Sequence, residues 1–180
     1  MTIEPATKAA RPRRRRGATR MSKQGLEFLI REEGFVPYAY NDSRNNATFG
    51  VGHLLHLGPV TPADRREWGT RRNPKSREFV LEVLERDVAR FTEVVLDAVR
   101  VRLSANELDA LGSLAFNIGP GAFRASTVVK RLNAGDRAEA ADAILMWRIP
   151  AELIPRRHRE RALFLRRSAE LGIKAALSCS

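Results

Sequence analysis

The sequence predicts an α+β fold that is mostly helical, with two lobes, a small β-hairpin near the N-terminus and a long helix between the lobes. Two observations favour this fold. Apolar residues recur at spacings of three and four from Val80 to Ala98, which predicts one helix over about residues 77–100, long for a chain of 180 residues. Between Tyr38 and Val51 the spacing instead becomes that of strands on either side of a polar turn.

The first predicted helix begins after Ser22, a residue type favoured at N-caps, and ends before Gly34. Its apolar stripe of Leu26 and Leu29 is continued by Glu33, so this acid is expected in the last turn on the buried side. The negative end of the helix dipole and the apolar neighbours would both raise the pKa of Glu33. A carboxyl that keeps its proton near neutral pH can act as a general acid.

The predicted hairpin follows directly. Tyrosines within residues 38–40 have the spacing of one strand face, and residues 47–51 can form the partner strand. The polar run over residues 42–46 is typical of a turn. Asp42 would start this turn and Thr48 would lie on the returning strand, so the hairpin could bring both across from the end of the first helix.

The remaining segments are predicted to be helices with local start and stop signals. They comprise a short helix from Thr61 and Pro62 to Trp68, a helix from the capping box Ser104–Glu107 to Ile118, a tight loop over residues 119–121, a helix from Ser126 to about Leu132, a helix from Asp136 to near Trp147, and a basic helix from Arg156 to Leu171 that Gly172 ends.

Composition narrows the class of protein. Hydrophobic residues make up 43% and charged residues 29%, as in globular proteins that fold around a core. Cys179 is the single cysteine, so a disulfide within the chain is excluded. No apolar run approaches the ~18 residues of a membrane span, and no apolar segment follows the N-terminal charges, so we expect no secretory signal. The net charge of +11 favours anionic partners.

Over half of that charge lies in the first 20 residues, where seven basic residues face one acid, giving 7 − 1 = +6. The segment has no apolar periodicity, which predicts a disordered basic arm over residues 1–20. A functionless tail, or a start codon placed upstream of a true start at Met21, is an equally good interpretation. We therefore expect the arm, a domain over residues 21–172 and a tail over residues 173–180.

One sequence motif contains residues of the types used in catalysis. Glu33 is followed by Gly34, then by Asp42 after eight intervening residues, Thr48 after five more, and the run from Gly50 to His53. Two carboxyl groups are the minimum needed to split a glycosidic bond, because one protonates the leaving oxygen and the other manages the water or the sugar cation. Spacing alone leaves an ordinary helix end and turn as the stronger alternative.

The full motif, however, resembles the signature of the phage-type lysozymes, glycoside hydrolase family 24, which includes the T-even phage lysozymes. Weaker similarities extend the resemblance from about Met21 to Arg167; they are residues 115–119, Phe123 with Ser126, Trp147, and Arg156 and Arg157 with Glu160. The sequence departs from the family where Ile154 and Pro155 replace a frequent Gly-Leu, so the loop before the last helix is expected to differ.

The resemblance implies roles for individual residues. Glu33 would be the general acid, Asp42 the partner carboxylate, and Thr48 a holder of the attacking water in an inverting reaction. His53 would be structural, with Asp87 at the matching position on the long helix. Arg156 would lie near the catalytic acid, although Arg157 fits equally well by spacing. The sugar groove would be lined by Leu54, Phe116, Asn117 and Ser126, although Phe116 also fits a core position and Asn117 a helix cap. No metal or organic cofactor is implied.

The resemblance thus predicts an endolysin that hydrolyses the β-1,4 bond between N-acetylmuramic acid and N-acetylglucosamine in peptidoglycan. We expect a monomer that stays in the host cytoplasm until holin-type lesions let it reach the wall. The arm could add affinity for anionic cell-surface polymers or lipopolysaccharide, and no dedicated nucleic-acid site is expected. The alternatives are a noncatalytic wall- or nucleic-acid-binding protein on this scaffold and a membrane-disrupting cationic protein. Both should retain activity in Glu33→Gln, whereas the enzyme should not.

Overall fold

Residues 17–166 are described by the structure, a computed structural model; the predicted arm up to residue 16 and the chain from residue 167 onward lie outside this range. Within it, one small sheet follows the first helix, and the later elements are helical. The elements are α1 (Lys23–Glu33), β1 (Val36–Asn41), β2 (Ala47–Gly50), β3 (His53–His56), α2 (Pro62–Trp68), α3 (Arg77–Ala98), α4 (Ala105–Ile118), α5 (Pro120–Ala125), α6 (Thr127–Ala134), α7 (Arg137–Ile144), a 3-10 turn (Ala151–Leu153) and α8 (Ile154–Leu165).

Local side-chain caps explain where several helices begin. The hydroxyl groups of Ser22, Thr61, Ser104 and Ser126 each accept a hydrogen bond from the backbone N–H three residues later, at 3.1–3.3 Å. At Thr61 and Ser104 an acid returns the bond to the cap residue's own N–H, which completes a capping box. These predicted helix starts are therefore confirmed.

The sheet is antiparallel with the order β1-β2-β3. It extends the predicted hairpin by a third strand, β3, which the sequence spacing does not predict. Gly50 and Gly52 have φ of 66° and 73°, so the chain reverses sharply between β2 and β3. A strand of four residues is too short to show alternation, and only its pairing with β2 makes it recognisable.

Two hydrophobic clusters form the core, and α3 belongs to both. Its first half packs with α1 and β2 through Val80, Leu84 and Val88, and we call this the N-terminal cluster. Its second half, from Phe91 onward, packs with α4, α6, α7 and α8 in the C-terminal cluster. The prediction of a long helix that joins two lobes is therefore confirmed.

Three predicted elements need correction. Residues 119–121 do not form a loop; Gly119, with φ of 86°, ends α4, and Pro120 at once begins α5, since proline suits the first turn of a helix. The helix α7 ends at Ile144 instead of near Trp147. The last helix begins at Ile154, before the predicted Arg156, and ends at Leu165 instead of at Leu171.

The part of the predicted arm that is described lies against the domain. The backbone N–H of Ala18 donates to the carbonyl of Leu103 at 3.2 Å, and the Ala18 side chain packs on the C-terminal cluster. Across residues 17–166, none of the helices is both long enough and apolar enough to cross a membrane.

Candidate active site

Glu33 is the last residue of α1, and Gly34 ends the helix with a positive φ of 95°. The Glu33 side chain is 26% exposed and its Oε1 accepts a hydrogen bond from Nη1 of Arg156 at 2.6 Å. The expectation of an acid on the buried side with apolar neighbours is therefore wrong. The helix α8, from a distant part of the chain, brings a guanidinium group to this acid.

The neighbouring acid, Glu32, is the more buried of the two, with its side chain 4% exposed. Both of its carboxylate oxygens accept from Arg159, at 2.6 and 2.7 Å. The hydrogen bonds from Arg159 hold the pKa of the Glu32 carboxyl below its ordinary value. Two adjacent acids at one helix end thus have separate arginine partners one turn apart on α8.

Asp42 begins the turn between β1 and β2, as predicted. Its Oδ1 accepts from the backbone N–H groups of Arg44 and Asn46, each at 2.8 Å, and Asn45 takes the left-handed conformation with φ of 60°. These backbone donors, with Asn46 contributing most, hold the pKa of the Asp42 carboxyl below its ordinary value. Asp42 is therefore a carboxylate at neutral pH.

Thr48 lies on β2 on the face opposite the core. Successive strand residues point to opposite faces, and the next residue, Phe49, packs in the N-terminal cluster with its ring 5.0 Å from that of Trp68. Thr48 pairs across the sheet with Tyr40 and Leu54, so these three side chains share one face. The buried Thr48 hydroxyl donates to the carbonyl of Asn46 at 3.2 Å.

Tyr40, which the sequence did not single out as a site residue, pairs with Thr48 across the sheet and lies near the Asp42 carboxylate. Burial, together with the nearby Asp42 carboxylate, raises the pKa of Tyr40 above its ordinary value. Tyr40 therefore keeps its proton at neutral pH.

The four residues predicted to line the groove differ in their surroundings. Leu54 is 51% exposed. Phe116 is partly buried, contacts both hydrophobic clusters, and has its ring 5.0 Å from that of Phe91. Asn117 accepts a hydrogen bond from Nη2 of Arg157. Ser126 is buried and caps α6, so in this conformation its side chain offers almost no surface to a ligand.

Behind the hairpin, His53 on β3 contacts Asp87 on α3, as the resemblance predicts. The imidazole Nδ1 lies 2.9 Å from Oδ2 of Asp87, and the His53 ring lies 5.5 Å from that of Trp68. This contact joins the sheet to the long helix.

The sequence left open which arginine contacts the acid, and the structure places Arg156 on Glu33. Arg157 instead bonds Asn117 and the buried Glu160. Glu160 and Ser113 complete this polar cluster, although the sequence assigned neither a role. The only signal was the spacing of Glu160, three and four residues after two arginines, which on a helix puts all three on neighbouring positions.

Known proteins share this fold and part of the sequence. The family model described as phage lysozyme matches residues 30–170. The endolysin of Salmonella phage P22 is 43% identical over 149 residues, which cover 81% of this chain and 97% of that protein. A crystal structure of a P22 lysozyme variant superposes with a TM-score of 0.70 at 38% identity, covering 83% of this chain and all of that one. The muramidase domain of SpmX from Asticaccaulis excentricus superposes with a TM-score of 0.64 at 30% identity, covering 84% and 100%. The chain belongs to the phage lysozyme family.

Proposed function

We propose that this lysozyme is an endolysin that cleaves the β-1,4 bond between N-acetylmuramic acid and N-acetylglucosamine, with Glu33 as the general acid and Asp42 and Thr48 directing the attacking water. Hydrolysis of peptidoglycan follows from membership of the phage lysozyme family. The observation that carries the finer assignment is the contrast between the two carboxyl groups. Asp42 is held as a carboxylate by backbone N–H groups, whereas Glu33 ends a helix beside a single arginine.

In this mechanism Glu33 gives its proton to the glycosidic oxygen as the bond to the anomeric carbon breaks. A water molecule attacks that carbon from the opposite face and loses its proton to the Asp42 carboxylate. No bond forms between sugar and protein, so the configuration at the anomeric carbon inverts.

The hydrogen bond made by Thr48 suits the role of orienting water. A carbonyl oxygen can only accept, so the contact with Asn46 commits the hydroxyl proton of Thr48. Toward the attacking water, the Thr48 hydroxyl can then act only as a hydrogen-bond acceptor. A lone pair on the water oxygen therefore stays free to attack the anomeric carbon. Leu54 is exposed beside Thr48 and offers apolar surface to a sugar ring.

The test compares two neighbouring acids. Glu33→Gln keeps an oxygen that can accept from Arg156 but has no proton to give, so turbidity loss of exposed peptidoglycan should slow by at least ~10²-fold. Glu32→Gln, at the same helix end with its own arginine, should retain most of the rate per folded molecule. Near-normal lysis by folded Glu33→Gln would overturn the assignment of Glu33. No clearance of exposed peptidoglycan by the unsubstituted protein would instead favour a noncatalytic binding protein or a membrane-disrupting cationic protein.

The proposal also covers release and partners. We infer that the protein accumulates in the host cytoplasm and reaches the wall through holin-type lesions, and that it acts as a monomer. The basic arm would add attraction to wall polymers or lipopolysaccharide. Support for the arm comes from charge: residues 1–16 contain six basic residues and one acid, 6 − 1 = +5.

A further inference from the structure

Glu160 is fully buried on α8, with 0% of its side chain exposed, and it pairs with Arg156 and Arg157 in the first turn of the same helix. Its Oε1 accepts from the hydroxyl of Ser113 at 2.6 Å and from Nε of Arg156 at 3.0 Å. Its Oε2 accepts from Nη1 of Arg157 at 2.6 Å. All three partners donate, which is the pattern that a carboxylate requires.

Arg156 is shared between this buried acid and Glu33. One side of its guanidinium, Nε, donates to Glu160, and Nη1 donates to Glu33 at 2.6 Å. Its Nη2 donates to the Ser113 hydroxyl at 3.3 Å, which fixes the plane of the group. Because the Arg156 side chain is itself buried, its charge acts on these two carboxyl groups through little water.

Three acids and three arginines make up this cluster. The acids Glu32, Glu33 and Glu160 face the cations Arg156, Arg157 and Arg159, and Arg31 of α1 adds positive charge near Glu32. The helix α4 contributes Ser113 and Asn117, which are uncharged, and α7 contributes Asp142, which pairs with the partly exposed Arg161 of α8 at 2.7 Å. Removal of Glu160 would therefore make the surroundings of Glu33 more positive by one charge.

We propose that Glu160 is a positioning residue for the general acid: it holds Arg156 against Glu33 and takes up part of the arginine's charge, so that Glu33 can keep its proton at the pH of catalysis. A lone arginine beside a general acid would favour the ionised carboxylate and deplete the form that donates. A guanidinium already bonded to a second carboxylate attracts Glu33 less. This inference rests on the proposed role of Glu33.

The surroundings of Glu160 fit this role. Burial raises the pKa of the Glu160 carboxyl, and Arg157, Ser113 and Arg156 act in the opposite direction. The two arginines thus counteract the effect of burial and favour a carboxylate at this position. In turn, this carboxylate accepts from Nε of Arg156 and helps to hold its guanidinium in place for Glu33.

The experiment is the pH dependence of the initial rate of peptidoglycan clearance at low substrate concentration, for the full-length protein and Glu160→Gln. The alkaline limb of this pH–rate profile reports the loss of the proton from the general acid of the free enzyme. It should move to lower pH by about one unit in the variant, the low end of the effect of a charge within ~4–6 Å. Asp142→Asn, which removes the acid partner of another α8 arginine, is the control and should leave the limb in place.

A purely structural role for Glu160 would lower the amount of folded protein without moving the limb, and that result would overturn the proposal. If Glu160→Gln does not fold, Arg157→Gln is measured instead. In this variant Arg156 is the one remaining arginine of the pair bonded to Glu160, so the alkaline limb should move to higher pH. An unmoved limb would equally overturn the proposal. Failure of the proposed function is a separate result, because it would show as activity in folded Glu33→Gln.

Discussion

His53 and Asp87 join the sheet to the long helix through an imidazole–carboxylate contact, with Nδ1 lying 2.9 Å from Oδ2 and 3.0 Å from Oδ1. Both side chains are 29% exposed, so the contact is shielded from much of the solvent. His53 also pairs directly with Phe49 on β2, the strand that carries Thr48. This contact therefore supports the hairpin from behind, at a distance from the reacting groups.

We expect Asp87→Ala to lower the free energy of unfolding by about 1 kcal/mol, the net value of a hydrogen bond of this kind. Glu85→Ala is the matched control, because Glu85 lies on the same helix and pairs with the exposed Arg20 at 3.6 Å. An exposed ion pair contributes little, so that change should stay within about 0.5 kcal/mol. Urea denaturation of both variants measures the difference. Equal losses in the free energy of unfolding would show that the contact between His53 and Asp87 stabilises the fold no more than an exposed ion pair.

Asp42 combines a turn role with the proposed catalytic role, and two substitutions separate them. Asp42→Asn keeps an oxygen that can accept from the N–H groups of Arg44 and Asn46 but loses the charge. It should clear peptidoglycan about 10²-fold more slowly with a nearly unchanged melting temperature. Asp42→Ala loses the turn hydrogen bonds as well, so its melting temperature should also fall. Normal clearance by Asp42→Asn would restrict Asp42 to the turn.

Direct attack by water predicts the stereochemistry of the product. Cleavage of the β-1,4 bond should first release sugar ends in the α configuration, before mutarotation mixes the anomers. Proton NMR at early times distinguishes the two anomeric signals. The β anomer appearing first would indicate a covalent intermediate and would contradict the mechanism.

His56 and Asp64 predict a pH-dependent stability. The imidazole of His56 contacts two acceptors, the Leu57 carbonyl through Nδ1 at 3.0 Å and Asp64 through Nε2 at 2.9 Å. Only the charged ring can donate to both. The Leu57 carbonyl and then Asp64 raise the pKa of His56, while hydrogen bonds from Thr61 and then from His56 lower the pKa of Asp64 to about 2.

The sign follows from linkage. The His56 contribution is complete below the unfolded histidine pKa of about 6.5 and is lost as pH rises through the folded pKa. The Asp64 contribution is present above its unfolded pKa and is lost as pH falls toward about 2. His56→Asn should therefore lower the melting temperature more at pH 5 than at pH 9. Equal losses at both pH values would contradict the charged pair.

The basic arm should act through charge and not through the core. Removal of residues 1–16 retains the contact between Ala18 and Leu103, so the melting temperature should hardly change. The shortened protein should lag on whole cells at low salt and match the full chain on purified peptidoglycan at high salt. The reason is that the screening length at physiological ionic strength is only about 8 Å. Parallel curves of lysis rate against ionic strength would mean that the arm is passive.

The sequence by itself determined the starts of the helices with side-chain caps, the long helix and the candidate catalytic motif. Each depends on residues close together in the chain. A cap hydroxyl reaches an N–H three residues later, the period of α3 repeats every few residues, and Glu33, Asp42 and Thr48 lie within one short stretch. Signals of this kind are readable without knowing how the helices pack.

Only the tertiary structure decided how Glu33 is surrounded. Its partner Arg156 is 123 residues away along the chain. Ser113 donates to Glu160 across a separation of 47 residues. Local spacing predicted that Glu33 is buried among apolar residues. It also made Arg156 and Arg157 equally suitable as the arginine that contacts Glu33. The packing of α8 against α4, beside the end of α1, turned one guanidinium toward Glu33 and the other toward Asn117. A buried charge is stable only beside its partners, and those partners come from separate helices that meet only in the folded chain.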